Sequence, residues 1–221
     1  MRERVVIFGS SDHARVVIDV TEKEGRYVIA GLIGVFKDIG EEVMGYKILG
    51  SEDNLLQIVK EKNVYGGLIA IGDNYVRLKV YKKIVKIIPD FKFVTVIHPS
   101  VQIGKNVQIG GGTMIMAGVV VNPCSVIGQH CILNTNASLD HDCVMDNFSS
   151  LAPNVATGGN VQVGECTAIG LGASISNNIV IKEHTVIGTG SVVVKDIPEF
   201  VVAYGVPAKA MRTREVGEKY M

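Results

Sequence analysis

One histidine of this chain is placed for proton transfer. In Asn134-Thr-Asn-Ala-Ser-Leu139-Asp140-His141-Asp142-Cys143, the imidazole of His141 has a carboxylate on each side. A carboxylate can hold an imidazole in one tautomer and stabilise its cation, which suits a general base working near neutral pH. The same trio also suits a solvated surface cluster, and spacing alone does not choose between the two. A second group of candidates is Gly9-Ser10-Ser11-Asp12-His13, with Gly72-Asp73-Asn74. Backbone amides at a helix start can hold a phosphate, or Ser11 or Asp12 can simply cap the turn. With one glycine, the first loop lacks the dinucleotide fingerprint, and Asp12 would repel a pyrophosphate. His98, His130 and His184 share the second half of the chain with His141 but fall at different phases of its pattern, with no close histidine pair, so no metal site is expected.

That pattern is a period of six. From Ile97 to Val193 an aliphatic residue recurs at every sixth position, with Thr157 the sole departure. A second series two residues earlier is small or β-branched, and includes Ser125, Cys131, Ala137, Cys143 and Ser149. Glycine or asparagine often follows the aliphatic, as at Gly104, Gly110, Asn122 and Asn134, which reads as a tight corner with positive φ. Neither an α-helix nor a simple alternating strand has this period. It predicts a parallel β-helix of triangular section, three hexapeptides to a coil, roughly 25–30 Å long at the usual strand spacing.

The first part reads differently. Strands at 4–8, 27–33 and 67–71 alternate with helices at 13–24, 51–62 and 74–88, a small Rossmann-like βαβαβα unit whose ligands would bind beyond the strand ends. The division is expected at 1–92 and 93–221, with 91–99 as a short junction between prolines.

The 221 residues carry 22 Lys plus Arg against 22 Asp plus Glu, so no global field favours nucleic acid or an anionic membrane. The apolar runs are too short for a signal segment or a membrane span. Cys124, Cys131, Cys143 and Cys166 form no CxxC pair. Buried, reduced thiols and a cytoplasmic location are expected.

Taken together, the βαβ head, the hexapeptides, the Asn-Thr-(x)5-His-Asp-Cys segment and the tail Gly205-Val206-Pro207-Ala208-Lys209 resemble the NeuD/PglD/PerB family of bacterial sugar acetyltransferases. The resemblance implies a left-handed β-helix, a homotrimer, acetyl-CoA between adjacent prisms, and a nucleotide-linked amino sugar held partly by the head. His141 matches the family's general base, Asp142 its paired carboxylate, and Asn134 a polar residue near the reacting amine. Ser150, where a relative has histidine, and Gly159, Gly172, Thr189 and Lys209 fall along the acetyl-CoA site, with the amide near Gly159 meeting the acetyl oxygen. Ser11, Asp12, His13 and Gly72 fall at the nucleotide-sugar site. An acidic pair that reads the base in relatives is replaced here by Gly34-Val35, which leaves UDP, GDP and dTDP open. His13 either touches the diphosphate or supports its loop. The expected activity is N-acetylation in surface glycan synthesis; O-acetylation of a sialic acid and a non-catalytic trimeric scaffold or nucleotide-sensing subunit are the alternatives.

Overall fold

The computed structural model describes residues 2–34 and 38–220. The head comprises β1 (Glu3–Phe8), α1 (Asp12–Glu24), β2 (Tyr27–Ile33), β3 (Glu42–Val43), β4 (Tyr46–Gly50), α2 (Leu55–Lys62), β5 (Val64–Ile69) and α3 (Asn74–Ile87). Its sheet has the order β3-β4-β2-β1-β5, parallel except for the β3–β4 hairpin. That hairpin is absent from the sequence reading, and β5 starts three residues before the expected strand. Alternation is weak in both stretches because Gly45, Gly50, Gly66 and Gly67 interrupt the apolar pattern.

The helices follow their apolar stripes. In α1, Ala14, Val17, Ile18 and Thr21 are buried at helical spacing, and Gly25, at φ 69°, ends the helix in the left-handed region. In α3, Asp73 caps the start by accepting from the Val76 N–H at 2.8 Å. Its buried face carries Asn74 and Arg77 beside Leu78 and Ile84.

From Val96 onward the chain winds through two-residue rungs on three parallel sheets. The first face carries Val96–Ile97, Met114–Ile115, Ile132–Leu133, Ser150–Leu151, Ala168–Ile169 and Val186–Ile187. The second runs from Gln102–Ile103 to Val192–Val193, and the third from Gln108–Ile109 to Val180–Ile181. Rungs pair in register one coil apart, as in Val121↔Leu139 and Leu133↔Leu151. The six-residue aliphatics fill the prism from Ile115 to Val193, with the small series beside them. At the open lower end the filling fails: Ile103 is 44% exposed.

The corners differ from the sequence expectation. Positive φ falls three residues after the inward position of each repeat from Ile103 to Ile187, at Asn106, Gly112, Gly118, Cys124, His130, Asn136, Asp142, Phe148 and onward to Gly190, and not at the glycine directly after it. The latter glycines answer to crowding between coils. A Cβ on Gly104 would lie 2.5 Å from Pro123 N, and one on Gly110 would lie 2.6 Å from Gln129 N.

The head sits on the lower rungs of the first face. Met114, Met116 and Ile132 join Val5, Ile7, Val17 and Ile18 in one apolar cluster. Arg77 of α3 closes the joint while itself fully buried. Its guanidinium donates to the carbonyls of His130 (2.8 Å) and Phe148 (2.9 Å) in the prism, to those of Ile71 (2.9 Å) and Gly72 (3.1 Å) in the head, and to Asn74 Oδ1 (2.7 Å). Removing the side chain would strand these acceptors away from water. Arg77→Ala should therefore cost about 3–5 kcal/mol in denaturant unfolding; a loss below about 1 kcal/mol would show that the joint does not depend on it.

Candidate active site

Uncovered rungs of the first face floor a groove of ≈560 Å³. Ser150, Ala168 and Val186 lie along its base, Asn134, Gly170 and Thr189 along one edge, and Ser11, Asp12, His13 and Gly72 along the head side. The structure thus gathers two groups that the sequence assigned to different ligands: the head loops, and Asn134 with Ser150 and Thr189. Gly172 follows on the same corner as Gly170 and Leu171, and its amide bonds Pro153 O at 3.0 Å. Lys209 is exposed on the terminal hairpin opposite Tyr204. Gly34 packs against Ser10, where a Cβ would lie 2.9 Å from Ser10 Oγ; Val35 lies outside the described residues.

The head loops do not use the side-chain cap that Ser11 or Asp12 could supply. Ser11 is the N-cap of α1, yet its side chain makes no capping bond, and the Asp12 carboxylate pairs with Arg15 at 3.1 Å. His13 is largely enclosed, and burial together with the charge of Arg77 lowers its pKa to about 4, so the ring is neutral at working pH. Its Nε2 is buried and has no partner among the described residues.

His141 is not in this groove. It lies on the corner between the second and third faces, on the side of the triangle away from the first. There its Nδ1 is 2.8 Å from Asp142 Oδ2, with the two side chains 57% and 61% exposed. A carboxylate at Nδ1 places the proton there and leaves the Nε2 lone pair free. The two flanking carboxylates divide the work. Asp142, held at φ 57° by the corner, bonds the ring, whereas Asp140 accepts from the His141 amide at 2.8 Å and from Asn122 Nδ2 at 2.7 Å, fixing the backbone. The bond to Asp142, reinforced by the negative charge of Asp140, raises the His141 pKa above its ordinary value. Gly159, one coil above, forms the platform for the ring: a Cβ there would lie 2.4 Å from His141 Cε1 and 2.5 Å from Nε2.

Among the described residues, no three His, Cys, Asp or Glu side chains converge as metal ligands. His130 is buried and stacked on Phe148 at 4.9 Å, its pKa lowered to about 3 chiefly by burial. His184 stacks on Phe200 at 5.2 Å. Two residues that shape the site have no place in the sequence reading. Arg77, which sets the head against the prism, carried a signal, since it falls on the apolar stripe of α3. Tyr220, which lines the groove from the C-terminal tail, carried none.

Comparison with known proteins matches residues 4–84 to the PglD N-terminal domain and residues 94–129 to the bacterial transferase hexapeptide (six repeats). Perosamine N-acetyltransferase from Caulobacter crescentus, crystallised as a histidine-to-asparagine variant with CoA and GDP-perosamine, is 36% identical; the match covers 94% of this chain and 96% of that one, with a TM-score of 0.88. The acetyltransferase domain of PglB from Neisseria gonorrhoeae, in complex with acetyl coenzyme A, is 28% identical over 96% of this chain and 100% of that one, with a TM-score of 0.86. Among curated relatives, an acyl-[acyl-carrier-protein]–UDP-N-acetylglucosamine O-acyltransferase from Pseudomonas putida is 31% identical over 86 residues, 39% of this chain, so the chain spans only 33% of that relative's length. Likeness over both head and prism, at that identity to the Caulobacter enzyme, leads to one conclusion: the chain belongs to the NeuD/PglD/PerB family of sugar acetyltransferases.

Proposed function

We propose that the protein transfers the acetyl group of acetyl-CoA to the amino group of a nucleotide-linked sugar, with His141 as general base, in the cytoplasm and toward a surface glycan. One observation carries this reading. The chain presents a carboxylate-backed imidazole with a free Nε2 on one corner and a ligand-sized groove on the opposite face, so a complete site needs the corner of a second copy against the groove of the first. A closed trimer of prisms supplies such a junction three times. The four free cysteines fit the compartment.

In the reaction, His141 Nε2 takes a proton from the sugar amine as nitrogen bonds to the acetyl carbonyl carbon. The carbon–sulfur bond then breaks, and the thiolate leaves with the electron pair. Asp142 stabilises the imidazolium formed on the way. The Gly159 amide is assigned to the developing oxyanion, and Asn134 to the region of the amine. The apolar floor formed by Ile132, Ala168 and Val186 suits a pantetheine chain along Ser150, Gly172 and Thr189, with Lys209 toward the phosphates. Ser11, Asp12, His13, Gly34, Val35 and Gly72 are assigned to the acceptor. Its nucleotide is to be found by assaying GDP-, UDP- and dTDP-linked amino sugars, the GDP sugars first because the Caulobacter relative binds GDP-perosamine. Transfer to a hydroxyl of a free sialic acid, with no amine acetylated, would reject the amino-sugar reading.

His141→Ala should lower kcat about a hundredfold or more with little change in KM for acetyl-CoA; retained turnover would remove His141 from the chemistry. The pH profile has a definite sign. The base works only when neutral, and its pKa is raised, so kcat/KM should fall as pH drops through a midpoint above 6.5. Asp142→Asn should move that limb toward lower pH, and an unmoved limb would sever the pair. Mixing tests the shared site. His141→Ala chains and Ala168→Trp chains, each inactive alone, should regain activity when assembled together; a mixture that stays inactive would mean that each chain closes its own site.

A further inference from the structure

The C-terminal tail crosses from the end of the prism to the head and contributes to the groove. After the terminal hairpin, Arg214 is buried and donates to His184 O at 2.9 Å. Gly217 passes so close to Tyr75 that a Cβ would lie 2.6 Å from Cε1 of the ring. The path ends at Tyr220, whose ring lies 5.5 Å from the Arg214 guanidinium and lines the groove beside Ser11, His13 and Gly72. Its phenol oxygen accepts from the Asn74 N–H at 2.9 Å.

That bond decides what the phenol can offer. A hydroxyl that accepts an amide proton keeps its own proton to donate. Among the described residues the Tyr220 O–H has no acceptor, and burial raises its pKa to about 12, so it stays protonated across the working range. Asn74 is fully buried and fixed on all sides: its Oδ1 accepts from Arg77 at 2.7 Å, and its Nδ2 donates to Ser150 Oγ at 3.0 Å and to Thr167 O at 3.0 Å. The phenol is therefore held by the same residue that joins head to prism. It stands on the head side of the groove, next to the loops that follow β1 and β5, where parallel α/β sheets bind their ligands.

We infer that Tyr220 is a binding residue for the nucleotide-linked acceptor, donating its phenol O–H to an oxygen of that ligand, with Asn74 as the residue that positions it. This rests on the acetyltransferase reading above. It adds a contact from a part of the chain that neither the repeat nor the head loops contain.

The test is Tyr220→Phe, which keeps the ring and removes the donor. With the amino-sugar nucleotide that wild-type protein acetylates, KM for that acceptor should rise about tenfold, while KM for acetyl-CoA and kcat stay within about twofold and the melting temperature falls by no more than about 4 °C, the cost of leaving the Asn74 N–H without its acceptor. A chain ending at Lys219, which keeps the Arg214 and Gly217 contacts, should show the same one-sided loss, and a larger one, because ring and donor are both gone. An unchanged acceptor KM in Tyr220→Phe overturns the inference. So does a rise in both KM values accompanied by a fall in melting temperature, which marks Tyr220 as a structural latch, or a rise for acetyl-CoA alone. Wild-type protein that acetylates no amino-sugar nucleotide and is stabilised by none in thermal shift overturns the functional reading itself, and this inference with it. The two failures are thus separable.

Discussion

A buried guanidinium bonded to uncharged oxygens holds this molecule together. Arg77 makes no ion pair among the described residues; four backbone carbonyls and one side-chain amide oxygen take its protons. Two of the carbonyls, those of His130 and Phe148, stand on neighbouring coils at corner residues of positive φ, so the corner geometry of the prism sets where the cation can bind. The other two belong to the loop after β5, whose Gly72 borders the groove. One side chain therefore fixes the distance between the head loops and the first face. The neighbouring imidazoles of His13 and His130 accommodate the charge by staying neutral, their pKa values near 4 and 3.

This joint explains why the groove lies where it does. Apolar packing by Met114 and Ile132 uses the lower rungs of the first face, and the head overhangs what remains. Ser150, Ala168 and Val186 are left as a floor because the head's apolar packing stops short of them, with Asn74 alone reaching Ser150 Oγ and Thr167 O. The imidazole on the far corner is rigid for a different reason: Asp140 holds its backbone, Asp142 its ring, and the bare Gly159 lets the ring lie flat on the coil above. Two rigid features on opposite sides of a triangle are, under the proposed function, joined by assembly rather than closure.

The sequence revealed the prism well because its period is enforced in every coil: an inward position cannot accept a large polar group without a void or an unpaired donor. It misled about the corners. Glycine after the aliphatic reads as a conformational requirement, whereas coil-to-coil contact excludes a side chain there, and the left-handed positions two residues further on hold glycine and asparagine but also cysteine, histidine, aspartate and phenylalanine. Spacing shows which residues recur but not which neighbour one coil away crowds them. The His141–Asp142 pair was legible because its partners are adjacent in the chain. Arg77, Tyr220 and the part Asn74 plays between head and prism were harder to read because the partners that join these segments lie 53 to 146 residues away.

The tail also acts as a ruler. It is anchored at His184 through Arg214 and at Asn74 through Tyr220, while Asn74 is bonded to Ser150 and Thr167 on the coils just below. An extra coil inserted between Thr167 and His184 would lift the upper anchor by about 4.8 Å and draw the last residues off the helix that receives them. Coils cannot be added between Thr167 and the hairpin that carries Arg214 without parting these moorings, so the coil count there is set by the reach of residues 214–220.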